Sequence, residues 1–269
     1  MSTASEHDKN VLKTVLKISG LMFSYATTGN DVNSWALHDL SLTVTEGEIV
    51  CILGASGCGK STLLNVIAGL LPPGAGTIEF SNQSDAAGRI GYIFQNDALF
   101  PWRTVGENLL LASEITRTIP KADAGEKIKQ HLQTFHLQEK VLRQYPSQLS
   151  GGMRQRVSIV QALMFNPELF LLDEPFSALD FYTKLKLEGE FVALVKEQRK
   201  AAVLVTHDIE EAVAMADRVL IMSKDGALIA EFQIQPEEGA RSPDAARGTA
   251  KFAQYYQSIW AELKMVIGQ

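Results

Sequence analysis

The sequence predicts an α/β fold built on a mostly parallel sheet. Two continuous apolar runs, ELFLLDEP from residue 168 and AAVLVTHD from residue 201, lie on either side of a helical segment. A third apolar strand, EIVCIL, leads through a glycine-rich turn into the helical run STLLNVIAGL. Strands that are apolar without alternation are typical of a parallel sheet covered on both faces. These three segments therefore place the chain in the α/β class.

Shorter segments complete the predicted elements. β-like runs come early, at TVLKISG, ALHDLSLTV, TIEF and RIGYIF, and late, at RVLIMS and ALIAEF. The polar stretch TTGNDVNS is expected to form a turn, and the pattern from Thr104 to Phe165 is helical. Residues 235–248, QPEEGARSPDAARG, are expected to form a linker. Apolar residues at helical spacing after Thr249 predict an amphipathic helix that covers its own domain, with a regulatory or dimer contact as the alternative.

The composition limits the classes of function. The chain has 269 residues, of which 46% are hydrophobic and 21% charged, as in an ordinary globular domain. The formal net charge of −6 opposes nucleic acid as the main partner. The two cysteines, the polar start and the lack of an apolar run near the roughly 18 residues that span a bilayer predict a cytoplasmic protein in a reducing compartment. Any membrane role is expected to come through a partner.

The stretch GASGCGKST matches the phosphate-binding pattern G-x-x-x-x-G-K-S/T. Its glycines leave backbone N–H groups free to wrap phosphates, Lys60 suits the β- and γ-phosphate charge, and Ser61 suits Mg²⁺. The alternative is a strand–helix turn that binds nothing. The residues predicted to bind nucleotide here are Gly54, Ser56, Gly57, Cys58, Gly59, Lys60, Ser61 and Thr62. The Cys58 thiol, at a helix start, is expected to favour the reactive thiolate.

Polar side chains end two further apolar strands. Asp173 and Glu174 end FLLDE, and His207 ends VLVTH. Because doubly wound sheets bind ligands at such carboxyl ends, Asp173 is predicted to hold Mg²⁺, Glu174 to polarise the attacking water and His207 to contact the γ-phosphate. Helix capping by the acids and a structural histidine are the alternatives. The other histidines are expected on the surface or in packing contacts: His7, His38, His131 and His136.

GASGCGKST is the first candidate phosphate cradle of the chain, and a second candidate cradle follows at LSGGMRQRV. Ser150, Gly151 and Gly152 precede a helical run, where open backbone N–H groups and the positive end of the helix favour an anion. An ordinary helix start with Ser150 as the N-cap is the alternative. The pattern leaves open which phosphate a second cradle would bind.

Six motifs in order, GASGCGKST, YIFQ, LSGGMRQR, LLDEP, SALD and THD, make the chain resemble the ATP-binding cassette (ABC) ATPases. The resemblance runs from about Leu16 to Phe232. It implies a P-loop NTPase core with a mostly parallel sheet, an antiparallel β subdomain and a helical insert. The implied ATPase domain covers 14–234, with the insert at about 100–165, and 235–269 hold the linker and the C-terminal helix. It also implies a head-to-tail homodimer, in which Ser150, Gly151 and Gly152 serve the partner's ATP and Asp180 lies at the seam.

The resemblance gives two more residues a role. Tyr25 resembles the aromatic residue that stacks on adenine, and packing in the core beside Phe23 and Trp35 is the alternative. Gln95 resembles the glutamine that links Mg²⁺ to the helical subdomain, and an ordinary strand-end residue is the alternative.

Finer likeness points to a transporter subunit. DALFPWRTVGENL, YPSQLSGGMRQRV, DEPFSALD and THDIEEAVAMADRV resemble the nitrate, sulfonate and taurine importer ATPases. This implies a membrane permease as partner, an indirect link to a substrate-binding protein and a position at the inner face of the cell membrane. Ala55, Val160 and Gln161 depart from the residues usual in those relatives. A soluble assembly factor, as in iron–sulfur scaffolding, and an ATP-sensing module are the alternatives, although Glu174 and His207 oppose a pure sensor.

The segment after Gln95 concentrates apolar side chains. Leu99, Phe100 and Trp102 stand beside Pro101, just before a helical run. Such a cluster favours a contact surface, and the resemblance implies that this region receives a short helix from the permease. Anchoring of the helical insert is the alternative for one or two of these residues.

Overall fold

A six-stranded, mainly parallel sheet forms the centre of the molecule. The computed structural model describes residues 12–25, 35–81, 90–116, 120–240 and 242–267, so His7 and the predicted turn TTGNDVNS lie outside the described residues. The strands are β1 (Thr14–Phe23), β2 (Leu37–Thr45), β3 (Ile49–Gly54), β4 (Ala75–Phe80), β5 (Ile90–Ile93), β6 (Leu169–Asp173), β7 (Ala201–Thr206), β8 (Arg218–Met222) and β9 (Leu228–Gln233). The central order is β5-β6-β7-β3-β8-β9, parallel except for β9, which runs antiparallel to β8.

The central sheet is buried on both faces because its strands alternate between two apolar cores. In β3, Cys51 and Leu53 face the core that contains most of the helices, whereas Val50 and Ile52 face the core shared with β1 and β2. All four side chains are fully buried. A strand with no solvent face has no position that requires a polar residue, which explains the continuous apolar runs. The predicted α/β class is confirmed.

Two smaller units flank the central sheet. Strands β2-β1-β4 form a three-stranded antiparallel sheet, which confirms the β subdomain. The helices are α1 (Lys60–Ile67), α2 (Val105–Thr116), α3 (Lys121–Thr134), α4 (Gly151–Met164), α5 (Phe181–Glu197), α6 (Ile209–Met215), α7 (Pro243–Arg247) and α8 (Ala250–Ile267), with 3₁₀ turns at Glu139–Arg143 and Pro146–Gln148. Helices α2, α3 and α4 pack on one another in the range predicted to be the helical insert.

The C-terminal segment packs on the rest of the chain. Helix α8 contacts α6 and buries Ile259 and Leu263, as an amphipathic helix does when it covers its own domain. The predicted linker instead contains α7, where Ser242 Oγ accepts a hydrogen bond from the Ala245 N–H and Pro243 is buried. Across the described ranges, no helix combines the length and the apolar composition that a membrane span requires.

Candidate active site

The P-loop joins β3 to α1, and glycines set its shape. Gly57 and Gly59 have φ angles of 84° and 105°, in the left-handed region that favours glycine. A Cβ atom at Gly59 would lie 2.2 Å from the carbonyl oxygen of Ala36, so no larger residue fits there. Ser56 and Gly57 are exposed, which places the turn of the loop at the protein surface.

Polar contacts place the two reactive side chains at the start of α1. Lys60 is buried, and its Nζ donates to the carbonyl oxygens of Gly54 at 2.8 Å and of Ala55 at 3.0 Å. Ser61 Oγ donates to Asp173 Oδ1 at 2.9 Å. The hydroxyl and carboxylate predicted to hold Mg²⁺ are therefore direct neighbours, and they join the P-loop to the end of β6.

The three predicted catalytic side chains meet at the carboxyl edge of the sheet. Gln95 follows β5, Glu174 follows β6 and His207 follows β7. Glu174 Oε2 accepts a hydrogen bond from Gln95 Nε2 at 3.3 Å and lies 3.1 Å from His207 Nδ1. Since β5, β6 and β7 are adjacent parallel strands, residues far apart in sequence come together at one edge.

Tyr25 lies beside the P-loop and not in the core. The residue is 54% exposed, its hydroxyl is 3.0 Å from Thr62 Oγ1, and its ring packs edge-on against Phe23 with centroids 5.0 Å apart. This exposure contradicts the alternative of core packing. The predicted role in adenine stacking stays a prediction, and an exposed ring next to the phosphate cradle suits it.

The expectation for Cys58 is wrong. Its side chain is buried, and burial raises the pKa of the thiol, while Lys60 and backbone hydrogen bonds lower it only in part. Desolvation disfavours the thiolate more strongly than the helix start favours it. A Cβ atom at Gly54 would lie 2.6 Å from Cys58 Sγ, so the thiol fills the space under the loop. Only the backbone of Cys58 remains available to the predicted cradle.

The second cradle, at Ser150 to Gly152, lines a cavity separate from the P-loop. Ser150 is the N-cap of α4, and its Oγ accepts a hydrogen bond from the Met153 N–H at 3.3 Å. Asp180 is the N-cap of α5 and accepts one from the Thr183 N–H at 3.1 Å. Both residues line one cavity of about 230 Å³, together with Gly151 and Gly152, and none of the described P-loop residues lines it. The two cradles of one chain are thus separate.

An ion pair missed by the sequence analysis joins the segment after Gln95 to the second cradle. Arg154, in the first turns of α4, donates from Nε to Asp97 Oδ2 at 2.8 Å and from Nη1 to the Leu149 carbonyl oxygen at 2.8 Å. Asp97 stands two residues after Gln95. In the sequence, Asp97 and Arg154 are each a single charged residue in a separate motif. Nothing in the sequence shows that they pair until the fold brings them together.

An apolar groove lies beside Gln95. It measures about 410 Å³ and is lined by residues that include Leu70, Tyr92, Phe94, Phe100 and Ile115. The Phe100 ring stacks on Trp102 with centroids 5.1 Å apart, and Trp102 is 71% exposed. Leu99 is buried. Of the predicted apolar cluster, one residue therefore anchors the helical insert and two form the outward surface.

These features define the class of the protein. A P-loop serine bonded to a strand-end aspartate, with a neighbouring glutamate held between polar side chains of adjacent strands, is the arrangement of a P-loop ATPase. Residues 37–177 match the family described as ABC transporter. The chain belongs to this family, as the motifs predicted, and is an ATP-binding ATPase of it.

Several proteins of this family are similar over most of the chain. The uncharacterized ABC transporter ATP-binding protein YtlC of Bacillus subtilis is 44% identical over 231 residues, which cover 85% of this chain and 88% of YtlC. The nitrate import ATP-binding protein NrtD of Synechococcus elongatus is 38% identical, with 81% of each chain covered. The taurine import ATP-binding protein TauB of Escherichia coli is 43% identical, with 70% of this chain and 74% of TauB covered.

A solved structure supports the same assignment. The dimeric structure of MJ0796, a bacterial ABC transporter cassette, has a TM-score of 0.72 and 31% identity, and the match covers 82% of this chain and all of that chain. The same cassette is also known as a dimer in a post-hydrolysis state bound to ADP and Pi.

Proposed function

We propose that this chain is the ATP-hydrolysing subunit of an importer for a small anion. Relatives named for the import of nitrate, aliphatic sulfonates and taurine support this class of cargo. The apolar groove beside Gln95 carries the transport role, because an exposed apolar surface of this kind marks a contact site. Its proposed occupant is a short, mainly apolar helix of a membrane permease. The subunit then works at the inner face of the cell membrane and meets the substrate-binding protein only indirectly.

The proposed working unit is a head-to-tail homodimer. In this arrangement Ser150, Gly151 and Gly152 of one copy close over the ATP that the P-loop of the other copy holds, and Asp180 lies at the seam. The separation of the two cradles within one chain supports the proposal, as does the similar cassette solved as a dimer. ATP joins the copies because N–H groups at a helix start favour its terminal phosphate.

Mg²⁺ is the proposed metal, held by Ser61, Asp173 and Gln95. Hydroxyl, carboxylate and amide oxygens are the ligands this ion prefers, and the first two residues are already 2.9 Å apart. Burial raises the pKa of Asp173, and a bound cation would favour its charged form. When bound, Mg²⁺ neutralises phosphate charge.

The other site residues have proposed roles that follow from their positions. Lys60 neutralises charge on the β- and γ-phosphates from within the P-loop. Glu174 orients and polarises the attacking water, and Gln95 and His207 hold its carboxylate in place at 3.3 and 3.1 Å. His207 also reaches the γ-phosphate, and Tyr25 stacks on adenine.

Substitution of Phe100, which lines the groove, and of Trp102, which stacks on Phe100, tests the transport role. Trp102→Ala and Phe100→Ala should each weaken binding to the membrane permease by about tenfold or more, because buried aromatic anchors dominate such interfaces. ATPase activity of the isolated subunit should change by less than about twofold, since neither side chain belongs to the nucleotide site. The measurements are pull-down with the membrane permease, coupled uptake, and ATPase rate.

The matched control is Trp260→Ala, because Trp260 is also exposed, at 43%, but lies on α8 away from the groove. It should leave pull-down and uptake unchanged. If both groove variants bind and transport like the parent protein, the groove is not the docking site and the importer assignment loses its main support.

A further inference from the structure

Five charged side chains meet behind the His207 loop, where α5, α6 and α7 pack together. This buried charge cluster consists of Lys184 and Glu188 of α5, Asp208 and Glu211 at the start of α6, and Arg247 of α7. Among the residues that the structure describes, two cations face three carboxylates here. Burial raises the pKa of Glu211 to about 7, with Glu188 and Asp208 adding to the effect and Lys184 opposing it. The cluster is therefore short of positive charge.

Arg247 is the cation that the C-terminal segment contributes. Its Nη2 lies 2.5 Å from Glu188 Oε2, and Glu188 is fully buried. A carboxylate in such a place requires a paired cation or takes up a proton. Within the described ranges Glu188 Oε1 has no hydrogen-bond partner, so the pairing there depends on Arg247.

Lys184 serves the carboxylates next to the active site. Its Nζ donates to Asp208 Oδ2 at 2.6 Å and lies 3.0 Å from Glu211 Oε2, but it is 3.9 Å from Glu188 Oε1. Asp208 Oδ1 in turn accepts hydrogen bonds from two backbone N–H groups in the first turn of α6. Asp208 directly follows His207, so its position determines how the chain leaves the sheet edge at His207.

We propose that Arg247 is a positioning residue for ATP hydrolysis that acts from the C-terminal segment. By neutralising Glu188, it leaves Lys184 to hold Asp208, and Asp208 keeps His207 at the sheet edge. The proposal rests on the ATPase activity and on the role proposed for His207.

Loss of the Arg247 charge is expected to draw Lys184 away from Asp208. Glu188 then loses its short-range cation, and Lys184 is the nearest replacement in the described part of the chain, at 3.9 Å. The Lys184 ammonium already contacts Asp208 and Glu211, so a shift of its Nζ toward Glu188 lengthens the 2.6 Å contact to Asp208. The start of α6 loosens at His207, while the P-loop keeps its own contacts at α1.

Three full-length variants test the proposal: Arg247→Gln, Glu188→Gln and the double variant. Arg247→Gln should lower kcat about 10- to 100-fold with KM for ATP changed less than about twofold, because a displacement of about 1 Å near the reacting groups has such an effect. Glu188→Gln removes the charge that competes for Lys184. It and the double variant should therefore keep kcat within about threefold of the parent protein.

Arg218→Gln is the matched control. Arg218 is a similarly buried arginine with ion pairs to Glu48 and Glu231, but it starts β8, at the end of the sheet opposite the site. This variant should lose thermal stability and retain kcat. A purely structural role of Arg247 would give the same result.

The outcomes separate cleanly. Parental kcat in a folded Arg247→Gln protein, or a low kcat that the double variant fails to restore, overturns the proposal. If Arg247→Gln does not fold, the double variant decides: a kcat within about threefold of the parent supports the proposal and a loss of about tenfold or more overturns it. If the parent protein itself does not hydrolyse ATP, the proposed function fails instead.

Discussion

Glu174 is the residue at which the candidate catalytic groups converge. Its φ of 45° lies in the left-handed region, which costs a non-glycine residue about 1 kcal/mol or more. The backbone N–H of Glu174 donates to the Val205 carbonyl oxygen at 3.0 Å, which holds the residue in this conformation. Such strain persists where the surroundings impose it, and here it presents the carboxylate to Gln95 and His207.

The substitution Glu174→Gln should separate binding from hydrolysis. It keeps the size and polarity of the side chain but removes the negative charge that orients water. We expect the turnover number to fall at least about a hundredfold while ATP affinity changes little. Steady-state kinetics and nucleotide titration measure the two effects.

The control for Glu174→Gln is Glu197→Gln, at the exposed end of α5. This variant loses the same charge and should hydrolyse ATP at the parental rate. Near-parental turnover in Glu174→Gln itself would remove Glu174 from the mechanism.

At the scale of elements, α4 connects the second cradle to the segment around Gln95. Its first turns carry Arg154, which pairs with Asp97, and further along Gln161 Nε2 donates to the Asn108 carbonyl oxygen at 3.2 Å. Asn108 is fully buried and holds the turn before α2 through hydrogen bonds with the backbone of Phe100 and of the residues that follow it. Helix α4 is thus bonded to the segment that contributes to the groove at two positions along its length, Arg154 and Gln161.

The substitution Asp97→Asn tests this connection. It removes the charge that pairs with Arg154, so the start of α4 should lose its fixed orientation. We expect a severalfold lower kcat, with the KM for ATP unchanged, and a loss of about 1 kcal/mol or less in the free energy of unfolding, because the pair is partly exposed.

Glu139→Gln provides the comparison for Asp97→Asn, since Glu139 pairs with Lys129 at 3.6 Å on the exposed side of the same insert. Its kcat should be parental. Equal kinetics in the two variants would show that the Arg154 pair does not support hydrolysis.

At the scale of the whole molecule, one chain has two cradles that line separate spaces. The P-loop opens at the sheet edge, and Ser150 and Asp180 line a separate cavity. Two copies in head-to-tail contact would place each cradle against the other. Nucleotide would then lie at the seam and control assembly.

Dimerisation should therefore depend on the terminal phosphate. The Glu174→Gln protein should sediment as a dimer with saturating MgATP and as a monomer with MgADP. Adding Ser150→Arg should abolish the dimer, because a bulky side chain blocks the helix start, and leave ATP binding at the chain's own P-loop intact. A monomer at saturating MgATP, with binding verified by titration, would rule out this arrangement.

The parts of the site that the sequence predicted are those encoded locally. The P-loop pattern determines its own geometry, since Gly57 and Gly59 are required by their φ angles. Strand ends were visible for Asp173 and His207, because an apolar run stops at a polar residue. The prediction for Cys58 was wrong because it used local structure alone. The helix start favours the thiolate, but burial, which only the tertiary structure determines, raises the pKa of the thiol more strongly.

The sequence by itself determined the α/β class and the segments that carry nucleotide chemistry, because apolar periodicity and glycine-rich turns act over a few residues. It determined the family through the resemblance of six motifs in order. Only the tertiary structure decided which charges meet. Arg154 pairs with Asp97 and Arg247 with Glu188 across 57 and 59 residues of chain, and a charge in a sequence does not reveal its partner. The proximity of Gln95, Glu174 and His207 likewise depends on the tertiary structure, since β5, β6 and β7 become neighbours only when the sheet forms.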